Sequence, residues 1–342
     1  MNKHTLKIVL ASTLLAANIL AQTNNPSYKI IKKISVAGDG GWDYLAVDEI
    51  AQNLFLSHGS VVNVVNLKTN ETIATIPDTK GVHGIAIAND LNKGFISNGR
   101  DTSITVFDLS KLTIIEKVKI KGINPDAILY DQFSHKVFAY NGRSNDATVL
   151  DAKTNQIIGT IKLSGKPEFS VTDGKGNIYV NIEDKSLITV IDATTLKIKN
   201  VWSIAPGEEP TGLALDTKHE RLFAVCDNKM MVVVNAENGK VITTVPIGEG
   251  CDGVSFDQDK GMLFSSNGEG TVTAIKQENE NVYKVAETIS TQKGARTITL
   301  NKTTHQLYLP VAEYGKKQEP TKENPNPRPT TTSNTFSVLV IE

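Results

Sequence analysis

One two-part pattern recurs seven times along this 342-residue chain, and any fold for it must accommodate that recurrence. Aligned on their apolar cores, the first parts read GWDYLAV from Gly41, GVHGIAI from Gly81, NPDAILY from Asn124, KPEFSVT from Lys166, EPTGLAL from Glu209, GCDGVSF from Gly250 and GARTITL from Gly294. Successive starts lie 40, 43, 42, 43, 41 and 44 residues apart. Eleven or twelve residues after each third position comes an aromatic in a second short run: Phe55, Phe95, Phe138, Tyr179, Phe223, Phe264 and Tyr308. A period near 42 headed by two apolar runs is the signature of a propeller array.

Each unit reads the same way. The first run is short and apolar (Leu45-Ala46-Val47, Ile85-Ala86-Ile87, Ala127-Ile128-Leu129), as in a strand buried on both faces. A polar turn such as Asp216-Thr217-Lys218-His219-Glu220 leads to the aromatic-bearing second strand. The third strand is β-branched, as at 61–65 and 188–191, and ends at Asn66, Asp108, Asp151, Asp192 or Asn235. A fourth follows, as at 72–76, 157–161 and 241–245. Four antiparallel strands make a blade, so the chain reads as all-β, a seven-bladed β-propeller. The seventh unit stops one strand short. Residues 28–34, ahead of the first repeat, look like a fourth strand, and pairing them into the last blade closes the ring and removes two open edges.

Segments such as Phe138-Ala139-Tyr140-Asn141-Gly142 and Thr189-Val190-Ile191-Asp192-Ala193-Thr194-Thr195 resemble the YVTN repeats of YncE-like seven-bladed β-propellers. The resemblance spans the chain after residue 21 and implies the propeller fold and an envelope location. It transfers no catalytic residue, because such propellers host lactonases, lyases, nucleic-acid binders and surface-binding modules.

In a propeller the first strand of each blade lines the central channel. The third residues of the seven heads (Asp43, His83, Asp126, Glu168, Thr211, Asp252 and Arg296) are therefore expected to ring the axis on one face. Six of these seven are ionisable, although the strands would form equally well with Ala or Val. The ends of the second strands (His58, Asn98, Asn141, Asn181, Cys226 and Asn267) are expected to make a wider ring, with Arg100 and Arg143 just beyond. Four carboxylates facing one channel need cations, protons, or Arg296 and His83 as partners. Two occupants fit this funnel. One is a divalent cation such as calcium on Asp43, Asp126, Glu168, Asp252 and the Asn carbonyls, all hard oxygen donors. The other is a polar organic ligand whose carboxylate or phosphate is clamped by Arg296, Arg100 and Arg143. A third reading is a water-filled mouth of compensating charges. No local metal motif chooses among them. In a catalytic site His83 is the expected general base, Glu168 the carboxylate partner and Arg296 the anion stabiliser.

His135, His219 and His305 fall in turns on the opposite face and read as solvated. Cys226 and Cys251 fall on one face of adjacent blades. They read either as a disulfide, which needs Cα atoms within about 7 Å, or as two separate thiols. Residues 312–335, rich in Pro, Lys, Glu, Thr and Asn, interrupt the last blade, as either a lid or partner-binding loop or an excursion without a role. The chain opens with Lys3, His4 and Lys7, an apolar run at 8–17, and Ile19-Leu20-Ala21. That is a signal peptide over 1–21, too short for a span of about 20 apolar residues, with no lipid-attachment Cys after it. The expectation is one domain over 22–342, monomeric, periplasmic or secreted. A net charge of −1 and the lack of a basic, aromatic-rich face argue against nucleic acid. The functions left open are a binder of a small polar ligand or cation, a hydrolase or lyase at the same funnel, and a platform for a protein or nucleic-acid partner.

Overall fold

The computed structural model describes residues 27–316, 319–321 and 330–342. The expected signal peptide at 1–21 lies outside them, as do 317–318 and 322–329 of the insertion. Among the described residues the strands form seven four-stranded antiparallel sheets, and six of these use four consecutive strands. The seventh sheet is Thr299–Asn301, Gln306–Val311 and Ser337–Ile341, with Ile30–Ser35 on its outer edge. The expected closure is present: Ile34 sits opposite Val338 and Lys33 opposite Leu339. Lys29 and Glu342 extend the pairing with main-chain bonds of 3.0 and 3.1 Å. Joining the two ends of the chain in one sheet leaves no open blade at the seam.

The residues that end each third strand have a physical role in the repeat. The Asn66 Oδ1 accepts the Lys68 and Thr69 amides at 3.0 and 3.1 Å. Asp108, Asp151, Asp192 and Asn235 do the same for the two turn amides that follow each of them. This side-chain turn reverses the chain into strand four, which is why Asp or Asn recurs there. The seven aromatics of the second strands are all buried between blades. The first strands are less buried than a both-faces reading implies: Ala46, Val47 and Ile87 keep partial exposure. Their inner face borders an axial channel of about 500 Å³, lined by residues such as Ile87, Leu129, Val171 and Val254. Full burial belongs to the second strands, as in Asn53–His58 and Arg221–Cys226. Among the described residues no helix is long and apolar enough to cross a membrane.

Candidate functional site: an anionic axial funnel

The head residues reach the axis because the first strands are irregular at that point. In blade two Val82 pairs with Asn98 and regular pairing resumes only at Ile85. The same break separates Pro125 from Ile128, Pro167 from Ser170, Pro210 from Leu213 and Cys251 from Gly253. Thus His83, Asp126, Glu168, Thr211 and Asp252 all sit in the break, where a bulge re-aims a side chain out of the ladder. Hydroxyls sew the freed backbone to the next blade. Ser97 Oγ accepts the Gly84 amide at 2.8 Å and donates to the Asp126 carbonyl. Ser266 Oγ donates to the Arg296 carbonyl at 2.5 Å, and Thr297 Oγ1 to the Asp43 carbonyl at 2.8 Å. Glycine follows the head where blades approach most closely: a Cβ at Gly212 would lie 2.9 Å from the Gly253 Cα.

These heads line a cavity of about 570 Å³. Around its rim runs a chain of charge contacts through successive blades. The Arg296 Nε donates to Asp252 Oδ2 at 2.6 Å, and its Nη2 reaches Asp43 Oδ1 at 3.3 Å and the Trp42 carbonyl at 3.1 Å. The other Asp43 oxygen, Oδ2, is 2.6 Å from His83 Nδ1, which lies 3.5 Å from Asp126 Oδ1. Across the funnel the Lys166 ammonium contacts Glu168 Oε1 at 2.5 Å and also holds Glu183. Tyr44 Oη approaches Glu168 Oε2 at 3.5 Å, and its ring packs on Phe169 with centroids 5.3 Å apart. Tyr44 lines the funnel and Phe169 the apolar channel, so this ring pair is the floor between them.

The electrostatics follow from crowding acids in a partly dry space. Burial pushes the Asp126 carboxyl up to about 6; His83 pulls it down and Asp43 and Asp252 push it further up. Burial also raises Glu168, to about 9, helped by Asp126 and by proton sharing with Glu183 and opposed by Lys166. Asp252 is raised by burial against the pull of Arg296. For His83 burial lowers the basicity, but the Asp43 hydrogen bond and the nearby Asp126 and Asp43 charges outweigh it and the ring is raised. Lys166 and Arg296 lose basicity to burial and regain more from their carboxylates, so both stay charged. With Glu168 holding its proton near neutral pH, the other four carboxylates (Asp43, Asp126, Glu183 and Asp252) face the two permanent cations, a surplus of two negative charges when His83 is neutral.

Of the expected heads, all seven line the cavity. The wider ring does not form as a ligand surface. Asn98 Nδ2 donates to Ser103 and Thr105 hydroxyls at 3.1 and 2.9 Å, clipping strand two to strand three. Asn141 and Asn267 make the equivalent clips. Asn181 donates to the Thr211 and Gly212 carbonyls at 3.2 and 3.1 Å. His58 is buried, bonded to Asn63 at 3.0 Å and stacked on Phe336. Arg100 and Arg143 are exposed and do not line the cavity. The four-carboxylate metal set is also divided, since Glu168 and Asp252 are held by Lys166 and Arg296; Asp43 and Asp126 are instead joined by His83.

Cys226 and Cys251 are free, buried thiols rather than a disulfide. The Cys251 Sγ donates to the Cys226 carbonyl at 3.2 Å, so it faces its neighbour's backbone, and burial pushes both thiols up to about 12. The turn histidines are not simply solvated. His219 bonds Asp216 at 2.6 Å, His305 bonds Asp257 at 2.8 Å, and His135 bonds the Tyr130 hydroxyl at 3.0 Å. The base of the insertion is tied over the funnel. Tyr314 bridges to Thr331, both line the cavity, and Tyr314 stacks on Trp42 with centroids 6.0 Å apart. Sequence reasoning missed Lys166, Glu183, Trp42, Tyr44 and Tyr314. Lys166 stands at a head's first position, where four of the seven carry Gly, but Glu209 is charged there too and does not line the cavity, so that charge did not single it out.

No family model and no curated protein matches the chain. Solved structures do. A chain of a structure titled for the mitotic checkpoint complex aligns at TM-score 0.73 and 12% identity, covering 97% of this chain and 100% of that one. The WD40 repeats of RRP9 align at TM-score 0.76 and 9% identity, covering 92% and 98%. A chain of Kuenenia stuttgartiensis hydrazine synthase aligns at TM-score 0.70 and 14% identity, covering 80% and 94%. At these identities the likeness is one of fold: this chain is an all-β, seven-bladed propeller.

Proposed function

We propose that this chain is an exported binding protein of the YVTN-repeat type, and that its axial funnel holds a small cationic ligand. The observation that carries this reading is the imbalance of charge. Lys166 and Arg296 are already engaged by Glu168, Glu183, Asp252 and Asp43, which leaves Asp126 with only the His83 ring 3.5 Å away and leaves the surplus negative charge unanswered. A unit charge about 4 Å from such a carboxylate interacts by about 4 kcal/mol at an effective dielectric of 20, attractively for a cation and repulsively for an anion. A clamp for carboxylate or phosphate would need a guanidinium with spare donors facing the cavity; Arg296 is committed and Arg100 and Arg143 lie elsewhere. The volume of about 570 Å³ is that of a small-molecule site.

The test is thermal unfolding at pH 7.5 against two panels, one of metal ions, amines and quaternary ammonium compounds, the other of phosphates and carboxylates. Cations are expected to raise the melting temperature of the wild type and not of an Asp43→Asn/Asp126→Asn double variant. Stabilisation by anions alone would overturn the reading.

A further inference from the structure

We infer that the funnel's cation is a divalent first-row transition metal held by Asp43, His83 and Asp126, an inference that rests on the cationic reading above. Three donor atoms from three successive blades converge here, all within 4.8 Å of one another. Donors about 2.0–2.2 Å from an ion stand about 3.0–3.5 Å apart at right or tetrahedral angles. The His83 Nδ1 separations of 2.6 Å to Asp43 and 3.5 Å to Asp126 bracket that range, so a shift of under about 1 Å seats an ion.

The surroundings orient these atoms independently of one another. A Cβ at position 99 would lie 2.7 Å from His83 Nε2, so the ring is wedged with Nε2 against Gly99 and Nδ1 toward the two carboxylates. Arg296 takes Asp43 Oδ1 and leaves Oδ2 facing the cluster. Ser57 Oγ accepts the Asp43 amide at 2.8 Å and fixes its backbone. Among the described residues the Asp126 carboxylate receives no hydrogen bond, although its side chain is only 14% exposed; its nearest charged partner is His83. A partly dry carboxylate aimed into a cavity without a donor is answered by a cation.

The donor set decides the class of metal. Calcium and magnesium favour all-oxygen shells, while one imidazole with two carboxylates suits zinc, manganese or iron. The open cavity leaves further coordination positions to water or to a second ligand. A second group of the same composition, Asp257, Asp259 and His305, is different in kind. There Asp257 Oδ1 accepts the Lys260 amide at 3.1 Å and Asp259 is exposed, so that group builds a turn and is assigned no ion.

Calorimetric titration of chelator-treated protein with Zn²⁺ at pH 7.5 tests the assignment. The wild type is expected to bind one ion, more tightly than Ca²⁺. His83→Ala and Asp126→Asn are each expected to raise Kd by about tenfold or more, since each removes one of three ligands. His305→Ala is expected to change nothing. Circular dichroism of each variant shows whether it is folded, and Asp126→Asn serves if His83→Ala is not. Absence of Zn²⁺ binding in the wild type, an unchanged Kd in folded His83→Ala, or tighter Ca²⁺ binding would overturn the metal site. If organic ammonium compounds bind and metals do not, the metal site falls and the cationic funnel stands; if only anions bind, both fall.

Discussion

Asp126→Asn is expected to make the ligand-free protein more stable while removing its capacity to bind. The magnitude follows from the carboxyl's surroundings. Burial, followed by the opposing pull of His83 and the push of Asp43 and Asp252, moves its pKa from 3.8 to about 6. A carboxyl raised on folding costs stability once ionised. The cost is absent below about pH 4, grows as pH rises through about 6, and then stays constant. A change of that size corresponds to about 3 kcal/mol. With an unfolding entropy of about 2.1 cal/mol/K per residue over roughly 300 residues, 3 kcal/mol is a melting-temperature difference of about 5 °C. The assay is calorimetric melting of chelator-treated wild type and Asp126→Asn from pH 4 to pH 8. The variant is expected to melt higher at pH 8, with the advantage shrinking to nothing near pH 4. A variant less stable than wild type at pH 8, or an advantage that does not depend on pH, would refute the reasoning.

Arg296→Met strands Asp252 and Asp43, both partly buried, and is expected to cost about 3 kcal/mol, or about 5 °C in melting temperature; adding Asp252→Asn should return part of it. Deleting residues 27–35 removes the outer strand of the last blade, leaves Ser337–Ile341 as a bare edge, and should lower the melting temperature and promote association seen by light scattering. Cys226 and Cys251 should resist a thiol reagent at pH 8 until the protein is unfolded, because both are buried and held protonated. Tyr314→Ala should leave the melting temperature within about 1 °C, since the side chain is 38% exposed, but should speed ligand dissociation in stopped-flow measurements.

The architecture was legible because the repeat is written in physical necessities. Asp or Asn ends strand three to build a side-chain turn, an aromatic on strand two fills the gap between blades, and a surplus strand at one end matches a missing strand at the other. The heads were legible for the converse reason: Asp43, His83 and Arg296 serve no need of the strands. What could not be read was direction. A strand end such as Asn98 or Asn141 looks the same in sequence whether its amide faces the axis or clips the adjacent strand; the tight pairing of Asn98 with Ser103 decides for the clip. The bulges that swing Asp126 and Glu168 inward are marked only by the prolines just before them, Pro125 and Pro167, and the same break at His83 and Asp252 carries no such mark. Which acids find cations also depends on side chains brought together across blades, as with the Arg296 contact to Asp43 over 253 positions of chain.

The most direct test of the cationic funnel is a crystal structure of the protein purified without chelator and crystallised near pH 7.5, with anomalous data to identify any metal. The account predicts a cation or cationic group in contact with the Asp126 carboxylate, with the Arg296–Asp252 and Lys166–Glu168 pairs intact. An anion seated on Arg296 or Lys166, with those pairs opened to receive it, would contradict it.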